Sequence, residues 1–182
     1  MMNGPALWFA NRGTGVVLLV VVTLSTVLGV LSTARASSRL WPRFLTQGLH
    51  RNVALLGVAL TVAHAATAVI DEYVDIRWWQ ALVPFGATYR PFWLSLGTLA
   101  FDVMLAAAAT SLLRHRMRHG LWRAIHVSTY AVFALGVVHG IGIGTDAGEP
   151  WSVAVTVGCV VAVLLAAATR LVTLRRDELV SP

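Results

Sequence analysis

Residues 49–65 read LHRNVALLGVALTVAHA, and residues 122–140 read WRAIHVSTYAVFALGVVHG. Both stretches are apolar and carry a histidine near each end. His50 and His64 are 14 residues apart; His126 and His139 are 13 apart. A helix crossing a bilayer needs about 20 mainly apolar residues, and each stretch supplies the middle of such a run. Neutral imidazole is a common metal ligand, and two opposed imidazoles make a six-coordinate haem iron. Two parallel spans with two histidines each therefore suit two haems, stacked one above the other.

Outward from these stretches, the whole 182-residue chain has the same character. It is 57% hydrophobic and 12% charged, with mean hydropathy +0.73. Soluble domains carry about 25% charged residues, so the composition is that of a membrane protein. Five segments qualify as spans: roughly 14–34, 50–70, 92–113, 122–143 and 151–173. The expected fold is all-α, a polytopic bundle of five transmembrane helices forming a single domain. No Rossmann unit or P-loop fits in the connections. The first apolar run is too long for the h-region of a cleaved signal peptide, and only Arg12 precedes it.

The connections alternate in charge. The first carries Arg35, Arg39, Arg43 and Arg51; the third carries Arg114, Arg116, Arg118 and Arg123; the tail carries Arg175 and Arg176. The second carries Asp71, Glu72 and Asp75 against Arg77 and Arg90, and the fourth carries Asp146 and Glu149 without arginine. Basic loops stay cytoplasmic. The pattern predicts an extracytoplasmic N-terminus and a cytoplasmic C-terminus in a plasma membrane. The net charge of +6 comes entirely from arginine. These arginines flank apolar runs and form no continuous basic face, which argues against a nucleic-acid partner and for membrane lipid. The single Cys159 rules out an internal disulfide and a multi-cysteine zinc or iron–sulfur site.

With this topology the two histidine spans run in the same direction. His50 and His126 open their helices at the cytoplasmic end, and His64 and His139 lie toward the outer end. At about 1.5 Å per residue the two levels are roughly 20 Å apart. Fourteen residues at about 100° each leave His64 some 40° from His50, whereas thirteen leave His139 about 140° from His126. Span four must tilt, wind irregularly or bend, and Gly136 is a plausible weak point. A non-haem metal site would instead want ligands gathered at one depth with carboxylates or thiolates. Purely structural histidines remain the simplest alternative.

At these residues the chain resembles the ferric reductase-like transmembrane domain superfamily. That group includes NADPH oxidases, ferric reductases and the haem subunit of a methionine-sulfoxide reductase system. The opening LWFANRGTGVVLLVVVTLSTVLGVLSTAR, residues 7–35, further resembles small actinobacterial members. The resemblance implies two haem b groups, with His50 and His126 as axial ligands of the inner iron. His64 and His139 would be those of the outer iron. It implies a transmembrane electron conduit, a subunit of an oxidoreductase. The C-terminal FAD and NAD(P)H domain of full-length oxidases has no counterpart here. Electrons are then expected from a separate flavoprotein reductase or a membrane quinol, and to leave for an extracytoplasmic redox acceptor.

Several residues would support such a site. Arg51 and Arg123 flank the inner pair and suit anionic propionates, with Arg43 also in reach; each equally fits the positive-inside pattern. Arg90 is the outer counterpart. Asp102, mid-span, is expected to be hydrogen-bonded or to take part in a proton or quinone site. Tyr130, one turn after His126, could line the inner haem. Gly29, Gly57, Gly97, Gly136 and Gly158 lie within spans and permit close approach. The GIGIG run at 140–144 is expected to end span four. His115 and His119, in the RHRMRH loop, read as solvated. The aromatic 71–91 loop reads as an interfacial or re-entrant cap. Competing functions are a non-redox partner-binding or assembly subunit, and a transporter or proton channel using the histidines and Asp102.

Overall fold

A computed structural model describes residues 5–33, 42–71 and 74–180, the side chains of Pro5 and of 176–180 excepted. Arg35, Arg39 and Glu72, and the side chain of Arg176, lie outside the described residues. The described chain is helical, without strands. Its long helices are α1 (Pro5–Thr33), α2 (Arg43–Ile70), α3 (Pro91–Leu112), α4 (His119–Ile143) and α5 (Pro150–Val180). Each is long and apolar enough to cross a membrane. Even α3, with 22 residues, reaches about 33 Å at 1.5 Å per residue, slightly more than a bilayer's hydrocarbon core.

Proline sets most of the starts. α3 and α5 begin at Pro91 and Pro150, and α2 follows Pro42. Proline at the first helical position loses no hydrogen bond, because that N–H has no helical acceptor. α4 ends in the glycine run, where the Gly144 N–H bonds to the Gly140 carbonyl. Gly142 belongs there for a second reason: a Cβ would overlap the indole of Trp93.

The five expected spans are all present, but four extend by three residues or more. α1 starts at Pro5 rather than near residue 14, α2 at Arg43 rather than 50, α4 at His119 rather than 122, and α5 runs on to Val180. The polar residues at the start of α1 are satisfied by tertiary contacts. Asn11 donates to the His64 carbonyl at 2.9 Å and to Thr67 Oγ1 at 3.1 Å. Arg12 lies over the Trp8 ring and forms an ion pair with Asp146. His50 and His126 consequently do not open their helices; each sits seven residues inside, counted from Arg43 and His119.

α1 packs along α2, α3 along α4, and α5 along α1. The two histidine-bearing helices, α2 and α4, are not among the closely packed pairs. Large apolar side chains such as Leu55, Leu56, Leu164 and Leu165 point outward. An apolar exterior on helices of this length is the pattern a lipid solvent selects.

The 74–91 part of the α2–α3 connection is tied down by hydrogen bonds. It contains the short 3-10 turn Trp78–Ala81. Gln80 is buried, donates to the Gly86 carbonyl, and accepts from the Arg77 N–H. Thr98 donates to the Gln80 carbonyl, and Ser95 Oγ accepts from the Phe85 N–H. Trp78, Trp79 and Phe85 stay exposed, which suits aromatic rings at a membrane interface.

Candidate functional site

The bundle brings the four intramembrane histidines together as two pairs. The His50 and His126 ring centres are 6.1 Å apart with planes at 85°. Those of His64 and His139 are 6.5 Å apart at 89°. Two imidazoles bound to opposite sides of one metal ion, each at about 2 Å, have ring centres about 6.3 Å apart. Both pairs match that span. Among the described residues no three His, Cys, Asp or Glu side chains converge, so the histidines meet two by two.

Helix α4 achieves this without a break. It is α-helical from His119 to Ile143, through Gly136. The angular offset between His126 and His139 is therefore not taken up by an interruption of the helix.

Three of the four rings are oriented by a backbone carbonyl on a neighbouring helix. His50 Nδ1 lies 2.9 Å from the Ser25 carbonyl, His64 Nδ1 3.1 Å from that of Asn11, and His139 Nδ1 2.8 Å from that of Trp93. A carbonyl only accepts, so Nδ1 carries the proton in each case. Nε2 then keeps a free lone pair, the form a metal requires.

A glycine stands four residues after each of those carbonyls: Gly29 after Ser25, Gly15 after Asn11, Gly97 after Trp93. On a helix the Cβ at i+4 leans back over residue i. Its absence leaves the carbonyl open to a second donor. A Cβ on Gly29 would meet His50 Cε1 at 3.3 Å, one on Gly15 would meet His64 Cε1 at 3.1 Å, and one on Gly97 would meet His139 Cε1 at 2.6 Å. The sequence reading noted Gly29 and Gly97 as packing glycines and missed Gly15. The repeated 14-residue spacing, Gly15–Gly29 beside His50–His64, was the available signal.

His126 is the exception. Its Nδ1 is buried without a hydrogen-bond partner among the described residues. No glycine follows Gly97 in α3. The ring is held instead by stacking on Trp122, with centres 5.1 Å apart and planes at 18°. The Trp122 Nε1–H donates to Ser111 Oγ at 3.4 Å.

A cavity of about 530 Å³ opens between the helices at the His64–His139 level. Its wall includes both imidazoles, Gly15, Gly97 and Gly136, together with Arg12 and Asp146. Cofactor-sized pockets fall in the range of about 300–1,000 Å³. The paired imidazoles, their protonation pattern and this space all fit a haem.

The remaining candidates divide. Arg43, Arg51 and Arg123 are exposed, and none forms an ion pair among the described residues. They lie near the His50–His126 level by chain position. Arg90 donates to the Gly142 carbonyl at 2.6 Å, so it ties the cap to α4. Arg12 is the cation in the cavity wall, and the sequence reading passed over it. Gly57 packs against Val21, with 3.6 Å from an added Cβ, which is ordinary α1–α2 contact. Tyr130 is 47% exposed and turned outward. Asp102 makes no hydrogen bond or ion pair among the described residues, so the expected structural bond is not there. His115 and His119 are exposed as expected.

A family model described as a domain of unknown function (DUF8596) matches residues 6–146. That stretch holds α1 to α4 and all four paired histidines. No curated protein and no solved structure matches the chain.

Proposed function

The chain belongs to the DUF8596 family, and we propose that it is a di-haem b-type electron conduit of the ferric reductase-like kind. One observation carries the reading: two imidazole pairs at 6.1 and 6.5 Å, the span of axial ligation. His50 and His126 would hold one haem and His64 and His139 the other. Haem supplies a one-electron carrier at each level.

The chain's own residues do the rest. The Ser25, Asn11 and Trp93 carbonyls hold three imidazoles by Nδ1, which would leave Nε2 free to bind an iron. Gly15, Gly29 and Gly97 let those rings approach. The apolar helices and the aromatic cap keep water from the space between.

The charge pattern supports an orientation in the membrane. Arg43, Arg51, Arg114, Arg116, Arg118 and Arg123 gather where α2 and α4 begin. By the positive-inside rule that end is cytoplasmic, and the N-terminus of α1, with the Arg12–Asp146 pair, is extracytoplasmic. Electrons enter from a flavoprotein or membrane quinol and leave to an extracytoplasmic acceptor. The setting is a bacterial plasma membrane.

Purified protein tests the reading. Reduced-minus-oxidised spectra show b-type bands, and haem extraction gives two per chain. A protein made with ample haem supply that carries none overturns it.

A further inference from the structure

Three of the four paired imidazoles are seated in one way, and the fourth departs from it at a single position. In the α1–α2 pair, His64 bonds to the Asn11 carbonyl and His50 to that of Ser25. The step between the two levels is 14 residues on each helix, and Gly15 or Gly29 follows each carbonyl by four. The α3–α4 pair begins likewise, with His139 on the Trp93 carbonyl and Gly97 four residues on. Fourteen residues further along α3 the carbonyl is that of Ala107, and the residue four after it is Ser111. A serine stands where the fourth glycine would be.

The register between the two helices puts this departure at His126. The Trp122 indole N–H donates to Ser111 Oγ at 3.4 Å. Trp122 lies four residues before His126, and Ser111 four after Ala107, on consecutive helices that pack along each other. His126 therefore comes level with Ala107, which is buried. A side chain at i+4 leans back over the carbonyl of residue i, so the Ser111 Cβ covers the Ala107 carbonyl. Thr110 Oγ1 donates to the same carbonyl at 3.2 Å. The Ser111 hydroxyl meanwhile holds the indole that stacks on His126, with ring centres 5.1 Å apart. His126 Nδ1 is left buried without an acceptor among the described residues.

An imidazole whose Nδ1–H is hydrogen-bonded is the more basic ligand. A more basic ligand favours ferric over ferrous iron, and hydrogen bonding behind the ligand is one of the levers that set a haem's reduction potential. We propose that Ser111 is a positioning residue that, through His126, raises the potential of the inner level above that of the outer one. The inference rests on the conduit reading and adds a redox order to it. A single electron shared by the two levels passes from the outer, which is oxidised from ferrous to ferric, to the inner, which is reduced from ferric to ferrous. No proton moves and no bond forms or breaks. The loop charges put the inner level on the cytoplasmic side, so the first electron to enter stays beside the donor. The outer level becomes ferrous chiefly when both are reduced, and the acceptor draws on the doubly reduced protein.

The test is an optical redox titration of haem-loaded protein in detergent. His64→Ala retains only the inner site and His126→Ala only the outer one, so each potential is read alone. The wild-type inner site is titrated in His64→Ala, and it is expected to favour the electron about tenfold over the outer site, or about 59 mV for one electron. Adding Ser111→Gly to His64→Ala uncovers the Ala107 carbonyl, and most of that tenfold advantage is expected to vanish. Adding Ser111→Ala removes the hydroxyl and keeps the Cβ, and the advantage is expected to remain.

Equal potentials, or a higher outer one, overturn the proposal. So does an advantage that survives Ser111→Gly, or one that Ser111→Ala abolishes as fully as Ser111→Gly. If Ser111→Gly binds no haem, the order of the two single-site potentials and the Ser111→Ala result decide. Haem content is measured first. A haem-free wild-type protein overturns the conduit reading itself, whereas two haems at equal potential overturn only the redox order.

Discussion

Gly97 and His139 fit against each other with no room for a methyl group: a Cβ on the glycine would lie 2.6 Å from Cε1 and 2.7 Å from Nδ1 of the imidazole. The same imidazole donates to the Trp93 carbonyl at 2.8 Å, one helical turn before the glycine. The glycine therefore decides where the ring can sit and whether it reaches its acceptor.

Gly97→Ala is accordingly expected to push His139 off its acceptor and to weaken the outer haem. Losing the outer hydrogen bond of a metal-bound histidine costs about 10- to 100-fold in metal affinity. Gly158→Ala is the control, because nothing lies within 4 Å of an added Cβ there. Haem extraction from the two variants checks this. About one haem per chain in Gly97→Ala and two in Gly158→Ala is the expected result; two in both speaks against the glycine's role.

The pairing makes a sharper claim that single substitutions do not test. If His64 and His139 share one iron, His64→Ala, His139→Ala and the double variant each lose the same single haem. His64→Ala combined with His126→Ala loses both. Residues acting on one group are non-additive, and residues acting on separate groups add. Haem content of the five proteins decides it. A double His64–His139 variant that loses more haem than either single variant would sink the assignment of these two residues to one site.

The two levels are unequally supported. Both outer imidazoles donate to carbonyls, whereas on the inner level only His50 does. His126 has no acceptor among the described residues. Its imidazole is the weaker donor to a metal, because a bonded Nδ1–H raises ligand basicity. The inner haem is expected to leave about tenfold faster when apomyoglobin is added as an acceptor. Loss from His64→Ala, which retains only the inner site, should follow the fast phase of the wild-type protein. Loss from His126→Ala, which retains only the outer site, should follow the slow phase. A single phase in the wild-type protein contradicts the asymmetry.

This asymmetry also marks what the sequence does and does not carry. Five apolar runs, the loop charges and the two histidine spacings are properties of side chains, and they foretell five helices and four imidazoles on two of them. The partners of those imidazoles are backbone carbonyls, which every residue possesses, so Ser25, Asn11 and Trp93 have no distinguishing letter. Only the glycines four residues later leave a trace, and Gly15 lay too near the start of its run to be noticed. The start of α1 was hidden for another reason. Asn11 and Arg12 look unfit for an apolar helix until Thr67, the His64 carbonyl, Trp8 and Asp146 are seen to satisfy them.

Asp102 gives the last test, since it separates a conduit from a proton channel. It lies in the middle of α3 and makes no hydrogen bond or ion pair among the described residues. A carboxyl at that depth costs about 2–3 kcal/mol as a charge, so a bundle that merely tolerates it gains from its removal. Asp102→Leu is expected to leave both haems and the flavin-driven reduction rate unchanged. It should raise thermal stability by about 1 kcal/mol, measured as the detergent-solubilised melting temperature. A proton channel using Asp102 predicts a different outcome: proton flux into vesicles that disappears in Asp102→Leu. Proton flux in the wild-type protein, lost in this variant with haem content intact, would favour the channel, because a chain of iron-bound imidazoles has no free Nε2 to relay protons.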